Sequence, residues 1–403
     1  MSIHTKSINK NNSPFFSILI PTRDRPSLAK DLIHSVLEQS FKDFEIIVAD
    51  NSSNLDTQNI LNAMSDTRLI NLQTGGLKMA DNWEAGIEQC SGSYLLIFSD
   101  KMLLKSGSLD YLAGYIRKYS PSCVNWDIDS FFENELTYFA YPQSVNEVAV
   151  SSKSILGKIL TSEFDSVRIP CHCNSAISMS VIKLIKAEAG RVCFQLNPDY
   201  TLAYQVLLNV NEIHSLDKAL SILRYPSLKS GHGNGTSFML KGEQAKNFML
   251  DNADWIDRTN KYTAVRIHSN HFGLDLILKD LYYVLEKYKV NPDDLLPQNR
   301  RYINYYLFTY LEIIFRTNMG AMMNNELKLW RASLNDEESK IKNAVSLEIR
   351  NHRLRFLYIR FKRFLLNIDV LATFIHFMGD FLFRNNAKKF NSLEDCLSNT
   401  KVI

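Results

Sequence analysis

Between Phe15 and about Tyr119, short apolar runs alternate with amphipathic stretches, and few folds accommodate that alternation. The runs are Phe16 to Ile20 (FSILI), Phe44 to Ala49 (FEIIVA), Arg68 to Leu72 (RLINL) and Tyr94 to Phe98 (YLLIF). Each is almost continuously apolar, so each needs cover on both faces, as the strands of a parallel sheet have. Between the runs, helices are expected over 26–40, 57–65 and 79–90, the first opened by Pro26, whose missing N–H costs nothing at a helix start. Right-handed crossovers then gather the loops after each strand along one edge of the sheet. Ligands of open α/β sheets bind at that edge.

From about Cys123 to Tyr225 the pattern is mixed, with strands expected at Leu136 to Tyr141 and Leu220 to Arg224 and helices near 151–161, 179–189 and 200–209. This reads as the second half of the same α/β unit. After a glycine-rich segment, Ser230 to Ser237 (SGHGNGTS), the remainder to about Phe383 reads as helices joined by polar loops.

A chain of 403 residues, 45% apolar and 22% charged, is of globular composition, and a net charge of +3 is too small to argue for a nucleic-acid partner. The polar N-terminus (MSIHTKSINKNNSP) lacks the build of a signal peptide, so the six cysteines are expected as reduced thiols in the cytoplasm. No uninterrupted apolar run reaches the roughly 18 residues that suggest a spanning helix.

Two strand-end loops stand out at the ligand edge. The first run is followed by Pro21-Thr22-Arg23-Asp24-Arg25-Pro26 and the second by Asp50-Asn51-Ser52-Ser53. A carboxylate such as Asp50 can accept hydrogen bonds from a nucleobase N–H or from ribose hydroxyls, or it can simply cap a turn. After the fourth run comes Ser99-Asp100-Lys101-Met102. A pair of carboxylates there would hold Mg2+ or Mn2+ against a diphosphate, but only Asp100 is acidic and Lys101 adds a positive charge.

Taken together, FFSILIPTRDRP, FEIIVADNSS and GGLKMADNWEAGIEQCSGSYLLIFSDKMLL resemble glycosyltransferase family 2, and the resemblance runs from about Phe15 to Thr236. It implies an α/β GT-A nucleotide-binding fold with a mostly parallel central sheet, followed by an α-helical C-terminal region. It also implies an inverting transfer from a nucleoside diphosphate sugar to a glycan or lipid-linked acceptor, in bacterial surface-polysaccharide assembly. The organisation expected is a disordered tail over 1–13, a GT-A domain over 14–240 with a nucleotide-binding half (14–125) and an acceptor half (126–240), and a helical region over 241–403. By the same resemblance Asp50 contacts the nucleoside. Asn82-Trp83-Glu84 matches a subgroup pattern, and the family's D-x-D element aligns with Ser99 to Met102. Donor contacts are thus expected from Pro21, Thr22, Arg23, Asp50, Asn82, Asp100 and Lys101. The departure at Lys101 predicts weak dependence on Mn2+ or Mg2+. Either the lysine stabilises the leaving diphosphate, or Asp100 and His232 of the glycine-rich segment hold a loosely bound ion.

An inverting transfer needs a base for the acceptor hydroxyl. Asp199, in Asn197-Pro198-Asp199-Tyr200, is the candidate, with Asp165 and Glu163 as weaker ones; the same four residues also make a good helix start. The glycines of 230–237 suit either a loop closing on the donor or a linker. Cys171-His172-Cys173, with Cys193, raises a zinc reading, set against buried apolar thiols. Over 350–375 a helix with an apolar face bordered by Arg355, Arg360, Lys362 and Arg363 is expected either to lie on an anionic membrane surface or to pack on its neighbours. The helices near 269–288 and 301–318 read as a bundle or a homo-oligomer contact. A catalytically weak, glycan-binding scaffold is the alternative reading of the whole. A nucleotidyltransferase is disfavoured because PTRDRP is not a glycine-rich phosphate loop.

Overall fold

The computed structural model describes residues 13–141, 148–160, 168–194, 197–225, 254–255, 258, 273–295, 387–400 and 402. Four parallel strands open the fold, in the spatial order β3 (Leu69–Gln73), β2 (Phe44–Asp50), β1 (Phe16–Thr22), β4 (Tyr94–Ile97). The helices α1 (Pro26–Leu37), α2 (Asp56–Met64) and α3 (Met79–Gln89) connect them. The expected elements of this half all form, and their ends differ by a few residues at most.

Alternate side chains of the strands enter opposite cores, which is why the runs are almost continuously apolar. Ile18, Ile20, Ile46 and Val48 face α1 and α4 (Ser108–Tyr119). Leu19, Ile47, Ala49 and Ile97 face α3 and the helices of the second half. Helix α3 approaches the sheet closely at Gly86, where a Cβ would lie 2.4 Å from a methyl group of Leu19.

The second half extends the sheet with mostly antiparallel strands. Strand β9 (Ser175–Ser178) pairs antiparallel with β4 and with β6 (Cys123–Phe132), and β6 pairs antiparallel with β7 (Thr137–Phe139). The long β10 (Glu212–Tyr225) runs parallel to β6 and antiparallel to β5 (Met102–Leu104) and β8 (Val148–Ser151). Helices α5 (Ser152–Leu160), α6 (Met179–Ala189) and α7 (Pro198–Asn209) cover the face that carries α3. Helix α7 is buried nearly all round between them and α8 (Gly273–Lys287), whose Leu278, Leu281, Val284 and Leu285 join the same core.

The expected boundary near residue 240 does not separate the end of the chain from the sheet. Strand β11 (Ala387–Lys389) pairs with the free edge of β7, and α9 (Leu393–Asn399) seats Cys396 against Leu103, Phe131 and Tyr138. The exposed edge of β7 supplies backbone groups that a short strand can satisfy, whatever its distance in sequence. Residues 1–12, Glu163 and Asp165, the segment 230–237 with His232, and the stretches 301–318 and 350–375 lie outside the described residues. Among the described residues, no helix is long and apolar enough to cross a membrane.

Candidate active site

At the end of β2, Asp50 is 1% exposed. Its Oδ1 accepts from the backbone N–H of Ser52 at 3.0 Å and from the Ser52 hydroxyl. Its Oδ2 is buried and has no hydrogen-bond partner among the described residues. A buried carboxylate oxygen left unpaired is costly, so an N–H or O–H donor brought to this spot would be bound favourably. Ser52 also accepts from the backbone N–H of Asp24 at 2.7 Å, tying the loop after β1 to the loop after β2. Asp24 has φ +55°, a left-handed conformation that a short polar side chain tolerates.

That turn decides which arginine enters the site. Arg23 points to solvent with its side chain 68% exposed, 3.7 Å from Asp24. Arg25, two residues on, turns inward and places Nη1 3.2 Å from Asp100 Oδ1. Thr22 donates to the other oxygen, Oδ2, at 2.8 Å. Thr22 pairs in register with Asp50 across β1 and β2, so it stands between the two carboxylates expected at this edge. Pro21, opposite Ala49, is part of the buried strand.

Lys101 is nearly buried, and burial, with Arg25 adding to it, lowers its ammonium pKa to about 8. Both Asp100 oxygens are therefore engaged, in a setting that already contains two cations. Among the described residues that donor set does not fit a divalent ion, which needs several free oxygen ligands. Among the described residues no group of three or more His, Cys, Asp and Glu side chains is arranged to hold a metal. The zinc reading of 171–173 gives way to scaffold roles: Cys173 accepts from the Ser99 N–H at 3.4 Å, and Cys193 is fully buried.

Asn82 is not a free donor contact. Its amide donates to the Ala49 carbonyl at 3.0 Å and accepts from Thr74, whose backbone N–H in turn holds the Asp50 carbonyl at 2.8 Å. It anchors α3 to the end of β2. Glu84 does similar work further along, accepting the backbone N–H groups of Val192 and Cys193, both at 2.9 Å to Oε2.

Asp199 lies in the first turn of α7, with Oδ2 3.4 Å from His172 Nδ1. The segment carrying His172 is fastened to the end of β4, because the Cys173 N–H donates to the Ile97 carbonyl at 2.7 Å. Asp199 is thereby tied to the same sheet edge as Asp100. His172 also lies against Trp83 of α3, ring centres 5.2 Å apart. Burial opposes protonation of His172, but Cys173 and the Asp199 carboxylate outweigh it and raise its pKa well above the ordinary value. Asn197 is the N-cap residue of α7, with Pro198 and Asp199 in the first turn as the helix-start reading expects, but its side chain does not make the cap bond; its amide donates to Asp280 of α8 at 2.7 Å.

Sequence reasoning missed Arg25 and the part His172 plays beside Asp199. Arg25 occupies the N-cap position of α1, where Ser, Thr, Asp or Asn is usual, and that mismatch was the available signal.

Fold and edge together define an α/β domain of the GT-A kind, with carboxylates and cations converging where its parallel strands end. Residues 17–185 match the family described as glycosyl transferase family 2. A beta-1,3-glucosyltransferase of Campylobacter jejuni, acting on GalNAc(5)-diNAcBac-PP-undecaprenol by its name, is 33% identical over 103 residues, covering 25% of this chain and 33% of its own. A PGL/p-HBAD biosynthesis glycosyltransferase of Mycobacterium bovis is 28% identical over 114 residues, covering 27% of this chain and 44% of its own. The chain thus spans between a third and a half of the length of these curated relatives. Among solved structures, residues 1–349 of TarS from S. aureus with UDP-GlcNAc align at a TM-score of 0.47 and 16% identity, over 72% of this chain and 86% of that one.

Proposed function

We propose that the chain is an inverting glycosyltransferase that moves a sugar from a nucleoside diphosphate donor to a glycan or lipid-linked acceptor in surface-polysaccharide synthesis. The observation that carries this reading is the meeting, at neighbouring strand ends, of a buried Asp50 oxygen without a partner among the described residues and an Asp100 held by Thr22 and clamped by Arg25. Asp50 Oδ2 accepts a base N–H of the nucleoside. Arg25 and Lys101 supply the positive charge that a departing diphosphate needs, with Asp100 orienting the guanidinium. The name of the Campylobacter jejuni relative carries an undecaprenol-linked acceptor, which favours an acceptor of that class.

In the reaction, Asp199 takes the proton of the acceptor hydroxyl as that oxygen forms its bond to the anomeric carbon. The bond from that carbon to the diphosphate breaks, and the diphosphate leaves with the electron pair. His172 holds the Asp199 carboxylate in position. No step requires a metal. A second reading, a donor-binding protein with little turnover, draws on the same absence of a free carboxylate pair. Purified protein assayed against a panel of nucleotide sugars, with calorimetry of UDP and GDP alongside, separates the two. Transfer from any donor supports the transferase; nucleotide binding without turnover or donor hydrolysis supports the second reading, and no nucleotide binding overturns both.

A further inference from the structure

Outside the strand-end site, a cleft of about 540 Å³ opens between the start of α3, the end of α6 and helix α8. Its volume is that of an ordinary small-ligand site. Its floor is aromatic. Phe194 and Trp255 stack at 6.3 Å with 13° between their planes, and Tyr283 meets them at 5.1 Å and 4.4 Å. Its rim is cationic, with Lys78, Arg191, Arg258 and Lys287 in the lining and, among the described residues, one carboxylate, Asp254. Arg191 also pairs with Asp81 at 2.8 Å, so among the described residues Arg258 and Lys287 carry the rim's excess of positive charge over Asp254.

The floor is rigidly held. Trp255 donates its indole N–H to Asp280 at 3.1 Å, and the same carboxyl accepts from Asn197 at 2.7 Å. Asp280 is fully buried, and burial raises its pKa well above the ordinary range. Asn197 stands two residues before Asp199, so one buried carboxyl connects the cleft floor to the helix start that carries the candidate base.

We infer that this cleft binds a negatively charged saccharide unit of the acceptor. Aromatic faces take up the C–H surface of a pyranose, while the guanidinium and ammonium groups pair with a carboxylate or phosphate on it. A neutral sugar would leave the rim's charge unused. The nucleotide is already accommodated at Asp50, on different residues. The assignment to the acceptor rests on the transferase reading above; the cleft's preference for an anionic sugar does not.

The test is calorimetry on the full chain with glucose 1-phosphate, glucuronate, glucose and inorganic phosphate, repeated on Arg258→Ala/Lys287→Ala. Both positions are exposed and belong to no part of the donor or base machinery. One or both charged sugars should bind, with glucose 1-phosphate against glucuronate showing whether phosphate or carboxylate is preferred. Glucose and inorganic phosphate should bind more weakly than the preferred charged sugar. The double variant should lose about fivefold in affinity for each charge removed, while its UDP affinity stays that of the parent. Equal binding of glucose, equal binding of inorganic phosphate, unchanged affinity in the double variant, or displacement of the charged sugar by UDP would each overturn the inference. Charged-sugar binding that depends on Arg258 and Lys287 in a protein that does not bind nucleotide would support the cleft and sink the transferase reading.

Discussion

Arg25 reaches across the strand ends to Asp100, its Nη1 3.2 Å from Oδ1, while Thr22 takes Oδ2 at 2.8 Å, so both oxygens of that carboxylate are engaged. The pair is partly buried, and Lys101 stands beside it. Excess chelator is therefore expected to leave transfer and UDP affinity unchanged. Arg25→Ala should lower turnover by about a hundredfold, the scale of losing one charge-stabilising donor at a leaving group. Complete loss of wild-type activity in chelator, restored by Mn2+, would reject the arginine mechanism.

Asp50→Asn keeps an oxygen for the Ser52 contacts and replaces the unpaired oxygen with an N–H donor that would face the donor of a base. UDP affinity measured by calorimetry should fall about tenfold to a hundredfold, the range for a charge-assisted hydrogen bond. The melting temperature should not drop. Unchanged affinity would reassign Asp50 to turn structure.

Asp199→Asn should reduce transfer by about 10²- to 10⁴-fold, as expected for loss of a general base. UDP affinity should stay near wild type, because Asp199 lies against His172 and the nucleoside contact is assigned to Asp50, whereas the melting temperature should fall as the partly buried His172 loses its counter-charge. Turnover retained in this variant would move the base elsewhere, with Asp165 and Glu163 next to be substituted.

Lys101 titrates near 8 because burial disfavours its charged form. In the free protein the cation is present below that pH and lost above it, so UDP affinity should weaken as pH rises from 7 to 9.5. The limit is about tenfold per unit above the pKa. For stability the sign is opposite. Between about 8 and the ordinary lysine value the unfolded chain holds the proton and the folded one does not, so this group makes folding more favourable as pH rises. Lys101→Met should flatten both profiles, and a UDP profile of the same slope in the variant would remove Lys101 from the diphosphate site.

Much of the first half was legible in the sequence, because a strand covered on both faces must be almost wholly apolar, and FSILI, FEIIVA and YLLIF are, apart from Ser17 and Glu45, which hydrogen-bond to each other inside the fold. The strand ends bearing Asp50 and Asp100 follow from the same runs. Strand β6 was not legible, since Asn125, Asp127 and Asp129 interrupt its pattern. They are nevertheless buried, with Arg168 and Lys105 supplying the counter-charges for the two aspartates from distant segments. Strand β11 is three residues long and becomes a strand only because β7 offers it an edge. Periodicity is a local property, so it determined the elements of the nucleotide half and the edge where the chemistry gathers. Only the tertiary structure decided which side chains meet there. The order of strands sets β1 between β2 and β4, the left-handed turn at Asp24 sends Arg25 inward and Arg23 out, and the bond from Cys173 to the end of β4 brings His172 to Asp199. These are contacts between residues far apart in the chain, fixed by packing and hydrogen bonds that no single stretch of sequence contains.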